Sequence, residues 1–206
     1  MSGRVPCKLG VLVSGGGTNL QAIIDCIAAG RINAEICCVV SNNADAYALT
    51  RAKRHGIPAV VHENKGFTDR YSYDAVTQQI LQGYSVELVI LAGFMRILSD
   101  TMVNAFPNAI MNIHPALLPA FPGLHAQQQA LNYGVRYSGC TVHFVDSGTD
   151  TGPIILQTVV PVELDDTEES LSARIQEVEH RTFPSAIGLY ADGKLKVEGR
   201  RVRILP

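Results

Sequence analysis

Residues 86–92, Val-Glu-Leu-Val-Ile-Leu-Ala, are apolar at every position except Glu87. A strand with one face in water alternates polar and apolar side chains, whereas a strand covered on both faces does not. This run therefore predicts a central strand of a parallel sheet, which needs helices on both sides. Four more short apolar runs, residues 8–13, 35–40, 57–62 and 109–114, are separated by stretches of helical spacing. Leu20, Ile23, Ile24 and Ile27 mark the first helix, and residues 47–55 form the second, stopped by Gly56. Residues 70–83 form the third, with Tyr73, Val76, Ile80 and Leu81 facing inward. Ser99 and Asp100 cap a short fourth helix ending at Phe106, and a fifth spans residues 126–133. The fold class is α/β, with a mostly parallel, doubly wound, Rossmann-like sheet.

The pattern changes after Gly134. Residues 138–145 and 154–162 read as strands separated by only eight residues, too few for a crossover helix, so they are expected to be antiparallel neighbours. Asp166-Thr167-Glu168-Glu169 places negative charge at the start of a long C-terminal helix with a Leu171, Ile175, Val178 stripe. Pro184 is expected to end or kink that helix. Residues 194–205 read as a hairpin.

Several function classes are excluded by composition. Net charge is −2 over 206 residues, so no nucleic-acid footprint is expected, and Arg200, Arg201 and Arg203 read as a solvated strand. No apolar run approaches the ~20 residues of a membrane span. Residues 1–6 lack the apolar core of a secretory leader. The five cysteines have neither zinc nor redox spacing and read as reduced thiols of a cytoplasmic protein. His55 and His62 flank loops and are expected at the surface.

Ser14-Gly15-Gly16-Gly17-Thr18-Asn19 links the first strand to the first helix. Glycines there let backbone N–H groups approach an anion at a helix N-terminus, although a plain tight turn has the same sequence. It is not a Walker loop, having no Gly-Lys-Ser/Thr. It is also a poor dinucleotide fingerprint, because Leu20 occupies the third glycine position and Ser41-Asn42-Asn43 lacks the ribose-reading acid. In the strand of residues 109–114, alternation puts Ile110, Asn112 and His114 on one face and Met111 and Ile113 on the other. Asn112 and His114 thus emerge about 7 Å apart just before Pro115 ends the strand. The apolar segment Gly93 to Leu98 follows the central strand and is suited to lining a crevice. Asp150 fits either a turn or a site, His143 either core or site, and Gln176 and Glu179, with His180 beside them, either a solvated edge or a polar recognition face. Arg70 gains nothing from the helix dipole at its position, which points to another partner or to plain solvation.

Taken together these stretches resemble the phosphoribosylglycinamide formyltransferase family, purine-pathway enzymes using 10-formyltetrahydrofolate. The matching segments are Ser14-Gly-Gly-Gly-Thr-Asn-Leu-Gln-Ala22, Leu91-Ala-Gly-Phe-Met-Arg-Ile-Leu-Ser99, Asn112-Ile-His-Pro-Ala-Leu-Leu-Pro119, Thr141-Val-His-Phe-Val145 and Gly152-Pro-Ile-Ile-Leu-Gln157. Two departures are Ala116, where the family usually has Ser, and Gly16-Gly17-Thr18, which replaces Asn/Thr-Gly-Ser.

The resemblance implies a catalytic trio of Asn112, His114 and Asp150. It implies that Gly15, Gly16, Gly17, Thr18 and Asn19 cradle the ribose phosphate, with Gln176 and Glu179 on the ribose and glycinamide. The folate is expected against Met95, Arg96, Ile97 and Leu98, against Asn112, and against Val145, Asp146, Ser147, Gly148, Thr149 and Asp150, with Arg70 at its glutamate tail. The chain is then one formyltransferase domain, residues 1–110 serving the ribonucleotide and residues 111–206 catalysis and folate. The expected mechanism is direct attack by the substrate amine, with Asn112 and protonated His114 stabilising the oxyanion and Asp150 raising the His114 pKa. The expected partners are 5-phosphoribosylglycinamide and reduced folate, without metal, nucleic acid or membrane; a homodimer stays open. A formyltetrahydrofolate hydrolase, another folate-dependent formyltransferase such as that acting on methionyl-tRNA, and a non-catalytic phosphate-binding module are the alternatives. Separation of the trio by more than about 8 Å favours the binding module.

Overall fold

The computed structural model describes residues 5–206; residues 1–4, on which much of the leader reading rests, lie outside the described residues. The strands β1 (Cys7–Val13), β2 (Ala34–Ser41), β3 (Ala59–Val61), β4 (Leu88–Leu91) and β5 (Ile110–His114) are mutually parallel neighbours in one sheet. Their connections are α1 (Thr18–Ala28), α2 (Tyr47–Arg54), α3 (Arg70–Gly83) and α4 (Asp100–Ala105). The sheet continues through antiparallel β6 (Tyr137–Phe144) and β7 (Ile154–Pro161), with α5 (Ala126–Tyr133) before β6 and α6 (Glu168–Ala191) after β7. The closing hairpin of β8 (Leu195–Glu198) and β9 (Arg201–Ile204) adds to β7 through β9, giving the order β3-β2-β1-β4-β5-β6-β7-β9-β8.

All four residues of β4 are buried, as a central strand requires. Glu87 stays outside it: its carboxylate accepts the Lys8 N–H at 2.8 Å, at the entry to the strand. Helices cover both faces. Leu9, Val11, Ile90, Met111 and Ile113 pack with residues of α1, α2 and α6. Leu12, Val89, Leu91 and Ile110 pack with Tyr73 and Leu81 of α3 and Met102 of α4. Asn112 and His114 share the parity of Ile110, as the alternation predicts.

Three expectations need correction. His62 is buried, its ring stacked on Tyr73 at 4.2 Å and its Nε2 3.1 Å from the Tyr73 carbonyl, while the Tyr73 hydroxyl donates to the His62 carbonyl at 2.7 Å. On α3, Val76 and Ile80 are only half-buried and the polar Asp74 and Thr77 are fully buried. The Asp74 carboxylate takes the Ser99 N–H at 2.5 Å, and Thr77 donates to the Tyr73 carbonyl at 3.2 Å, so polarity there is satisfied rather than excluded. Finally, of the two outcomes expected at Pro184, an end to the helix does not occur, since α6 runs on to Ala191. Burial of Phe183, Pro184, Ala186 and Ile187 holds the helix across the missing backbone donor.

The cysteines are free. Burial pushes the Cys140 thiol up to about 11, so it is a poor nucleophile. No helix among the described residues is long and apolar enough to cross a membrane.

Candidate active site

The chain leaves β1 for β2 on one side and returns to β4 on the other. In an open α/β sheet, the crevice outside the carboxyl ends of such strands is where ligands bind. Three of the singled-out segments meet there, because each immediately follows or ends one of these strands: the glycine loop after β1, residues 93–98 after β4, and Asn112 and His114 at the end of β5.

Asp150 reaches the same point from the β6–β7 loop. Its Oδ2 lies 3.2 Å from His114 Nδ1 and accepts the Gly123 N–H at 2.8 Å; its Oδ1 accepts from the Asn112 amide at 3.4 Å. The trio is thus within direct contact, far inside the separation that favours a binding module. Asp150 is held at φ 55, a left-handed conformation that only surrounding contacts maintain. The loop is pressed against β6 at Gly152, where a Cβ would sit 1.7 Å from the Phe144 carbonyl oxygen.

His143 completes the cluster. It faces Asn112 across the β5–β6 ladder and is buried. Its Nδ1–H donates to the Phe144 carbonyl at 2.9 Å, leaving Nε2 to accept from the Asn112 amide at 3.2 Å. His143 therefore sets which way the Asn112 NH₂ points. Its alternation with Thr141 left it between core and site in the sequence; the antiparallel pairing of β5 with β6, seen only in the structure, decides for the site.

The His114 ring donates from Nε2 to the Phe121 carbonyl at 2.8 Å while Nδ1 meets the Asp150 carboxylate. Both nitrogens face acceptors, an arrangement the imidazolium satisfies best. Burial opposes it and wins: His114 lies below the ordinary imidazole value, although the Phe121 carbonyl and Asp150 pull upward. The expectation of a raised pKa is therefore corrected, because desolvation of the cation exceeds its attraction to one carboxylate. Burial alone would raise the Asp150 pKa, but His143, the Gly123 N–H and His114 outweigh it and hold the carboxyl below its usual range.

The carbonyls of Ser14, Gly15 and Gly16 accept from residues 43–51, on the β2–α2 side, while that of Gly17 accepts the Gln21 N–H of α1 at 3.0 Å. Asn43 Nδ2 donates to the Ser14 carbonyl at 3.4 Å, the Ala48 N–H to Gly15 at 3.1 Å, and Arg51 Nε to Gly16 at 2.9 Å. The N–H groups of Gly15, Gly16 and Gly17 have no acceptor among the described residues. Gly17, at φ 71, precedes α1 without a side-chain cap, and a Cβ there would meet the Ala48 Cβ at 2.6 Å. Gly15 and Gly16 differ, since a Cβ on either meets nothing within 4 Å. The fold demands glycine at 17 but not at 15 or 16.

Helix α6 closes this side. Gln176 donates to the Thr18 hydroxyl at 3.0 Å and Glu179 accepts from Asn19 Nδ2 at 2.9 Å. Glu179 is buried, which raises its pKa against the lowering effect of Asn19. Asn19 Oδ1 and His180 Nε2 are buried without a partner among the described residues.

A cavity of about 410 Å³ extends from the trio. Met95, Arg96, Ile97 and Leu98 line one wall, Val145, Asp146, Gly148 and Thr149 another, with Asn112, His114, His143 and Asp150 at the polar end. Met95 and Ile97 are exposed to it, while Phe94 and Leu98 anchor the wall in the core. Ser147 and Arg70 do not line it; Arg70 sits at the start of α3 over the Tyr71 ring at 5.3 Å. Among the described residues, no group of three or more His, Cys, Asp or Glu could hold a metal ion.

Comparison with known proteins agrees with this geometry. Residues 7–187 match the model of the Formyl transferase family. The chain is 43% identical to phosphoribosylglycinamide formyltransferase of Haemophilus influenzae, covering 93% of this chain and 90% of that protein. It is 48% identical to the trifunctional purine biosynthetic protein adenosine-3 of Gallus gallus over 92% of this chain, but spans only 19% of that relative's length. The crystal structure of glycinamide ribonucleotide transformylase 1 from Symbiobacterium toebii superposes with a TM-score of 0.97 at 52% identity, all of each chain being covered.

Proposed function

The chain belongs to the formyl transferase family, and from that premise we propose that it transfers the formyl group of 10-formyltetrahydrofolate to the amine of 5-phosphoribosylglycinamide. The observation that carries the proposal is the meeting of Asn112, His114 and Asp150 between a glycine loop, with N–H groups unpaired among the described residues, and a mostly apolar cavity. The whole 206-residue chain acts as one such unit, with a single sheet running through both halves.

The ribonucleotide phosphate takes the free N–H groups of Gly15, Gly16 and Gly17 together with Thr18 and Asn19, at the positive end of α1. Its ribose and glycinamide face Gln176 and Glu179, whose neighbour Asn19 Oδ1 offers a buried acceptor in need of a donor. The pterin lies in the cavity between residues 95–98 and the loop of residues 145–150, and Arg70 answers the glutamate tail. An apolar slot with one polar end suits a flat ring system carrying polar edges.

The folate supplies an activated formyl carbon, and the nucleophile is the substrate amine, so no protein nucleophile is required. Asp150, ionised, accepts the proton that the attacking amine sheds. Asn112, held by His143, exchanges its longer 3.4 Å hydrogen bond to Asp150 for one to the oxygen that gains negative charge. His114 holds a proton between the Phe121 carbonyl and Asp150, and burial loosens it for delivery to the departing nitrogen.

The test is formyl transfer from 10-formyltetrahydrofolate to 5-phosphoribosylglycinamide, with an acceptor-free control. Formylated ribonucleotide formed only in the presence of acceptor is the expected result. Formate release without acceptor, or no turnover, overturns the reading.

A further inference from the structure

Ser14 occupies the step between β1 and the glycine loop, and its side chain is tied in two directions. Its Oγ accepts the Met95 N–H at 2.9 Å and donates to Asn42 Oδ1 at 2.6 Å. Its own N–H donates to the Gly93 carbonyl at 3.1 Å. One hydroxyl thus joins the carboxyl ends of β1, β2 and β4. The Met95 N–H is the one backbone donor of residues 93–98 that finds an acceptor among the described residues. Beyond it the segment is held by Arg96, whose guanidinium lies 4.1 Å over the Tyr73 ring, and by the Ser99 N–H on Asp74.

The strands do not need this hydroxyl. Backbone ladders already pair β1 with β2 and with β4. What it joins are the two segments that take different substrates in the proposed function: the loop of residues 15–19 and the wall of residues 95–98. We propose that Ser14 is a positioning residue that couples the ribonucleotide and folate subsites; this rests on the function proposed above. A ligand that fixes the loop through Gly15–Gly17 also fixes the Ser14 hydroxyl, and through it the Met95 backbone and the wall beyond. By thermodynamic reciprocity the folate ligand must tighten ribonucleotide binding by the same factor.

Calorimetric titration of the full chain tests this, using 5-phosphoribosylglycinamide and tetrahydrofolate as probes. Each is titrated alone and with the other saturating, for wild type, Ser14→Ala, Ser14→Thr and Asn42→Ala. In wild type, saturation with one ligand tightens the other about fivefold or more, a typical lower bound for coupled sites. Ser14→Ala brings that ratio to within about twofold of unity, Ser14→Thr restores it by keeping the hydroxyl, and Asn42→Ala, which frees the hydroxyl without removing it, gives an intermediate ratio. A merely structural role would weaken both ligands and leave the ratio alone. Coupling that persists in Ser14→Ala, or is absent from wild type that binds both ligands, overturns the proposal. Should Ser14→Ala fail to fold, an unchanged ratio in Asn42→Ala overturns it instead. Failure of wild type to bind either ligand overturns the proposed function, a separate outcome.

Discussion

His114 Nδ1 and Asp150 Oδ2 lie 3.2 Å apart in a pocket that burial makes hostile to the very ion pair they could form. Two forces act on one proton. The carboxylate favours the imidazolium, and desolvation favours neutral imidazole. The net lowering of His114 means that Asp150 favours its proton without overcoming the cost of burying the cation.

Replacing Asp150 with Asn removes the partner and leaves the desolvation. The His114 pKa is expected to fall further below its wild-type value, read from the imidazole proton resonances as pH is varied. Turnover is expected to fall by about 10²–10⁴-fold, the usual contribution of a positioned acid–base group. Tetrahydrofolate affinity should change little. An unchanged kcat, or a rise in the His114 pKa, removes Asp150 from its role.

His143 touches Asn112 and orients its amide. His143→Leu keeps the apolar volume of a buried site but deletes the Nε2 acceptor. The loss of a hydrogen bond worth about 1–3 kcal/mol in a buried site predicts a 10–100-fold drop in kcat. KM for the ribonucleotide should stay near wild type. A variant that loses only stability, with kcat per folded molecule unchanged, would make His143 a core residue.

The glycines of the loop proposed to bind phosphate allow structure and binding to be separated. Gly17→Ala places a side chain at φ 71 against Ala48 and should cost about 1–3 kcal/mol, read by chemical denaturation. Gly16→Ala meets no protein atom and should stay within about 0.5 kcal/mol of wild type. Its ribonucleotide affinity should nevertheless drop at least tenfold, since the added methyl occupies the space that the phosphate needs. If Gly16→Ala weakens tetrahydrofolate equally, the loop is not selective for the ribonucleotide.

Much of this arrangement was legible in the sequence, for a physical reason. Strand and helix periods are local, so the five parallel strands, their helices and the parity of Asn112 and His114 followed from side-chain spacing. What failed depended on contacts between distant segments. His62 is polar and near a loop, and nothing local reveals that Tyr73, eleven residues on, covers its ring. Pro184 obeys its local rule only where packing does not override it. The lowered pKa of His114 is also non-local: the sequence supplies the nearby carboxylate, but burial appears only once the sheet, the Phe121 carbonyl and the β6–β7 loop have closed around the ring. Asn112 and His114 could be singled out because they stand at a strand end, where position along the chain and position in the crevice coincide. Asp150, Gln176 and Glu179, on a loop and a helix, took roles only through the family resemblance.

Glu179 makes the same opposition between stability and function measurable. Its buried carboxyl has one hydrogen-bond partner among the described residues, Asn19, and burial raises its pKa above the unfolded value. A group with a raised folded-state pKa contributes stability that is fully present below its unfolded pKa, about 4.5, and lost as pH rises through the folded value. At neutral pH the wild type therefore lacks stability that it has in acid. Glu179→Gln cannot ionise, yet its amide oxygen can still accept from Asn19. Its melting temperature at pH 7 should exceed wild type, by about 2–4 °C for each kcal/mol recovered in a chain of this size. The two proteins should converge as pH falls below about 4.5, where the wild-type carboxyl is protonated in both states. The same variant should bind 5-phosphoribosylglycinamide more weakly if Glu179 is the acceptor that the proposed function assigns to the substrate. A lower melting temperature at pH 7, or a gap that widens in acid, would mean that Glu179 is stabilised by its surroundings and is not held there for binding.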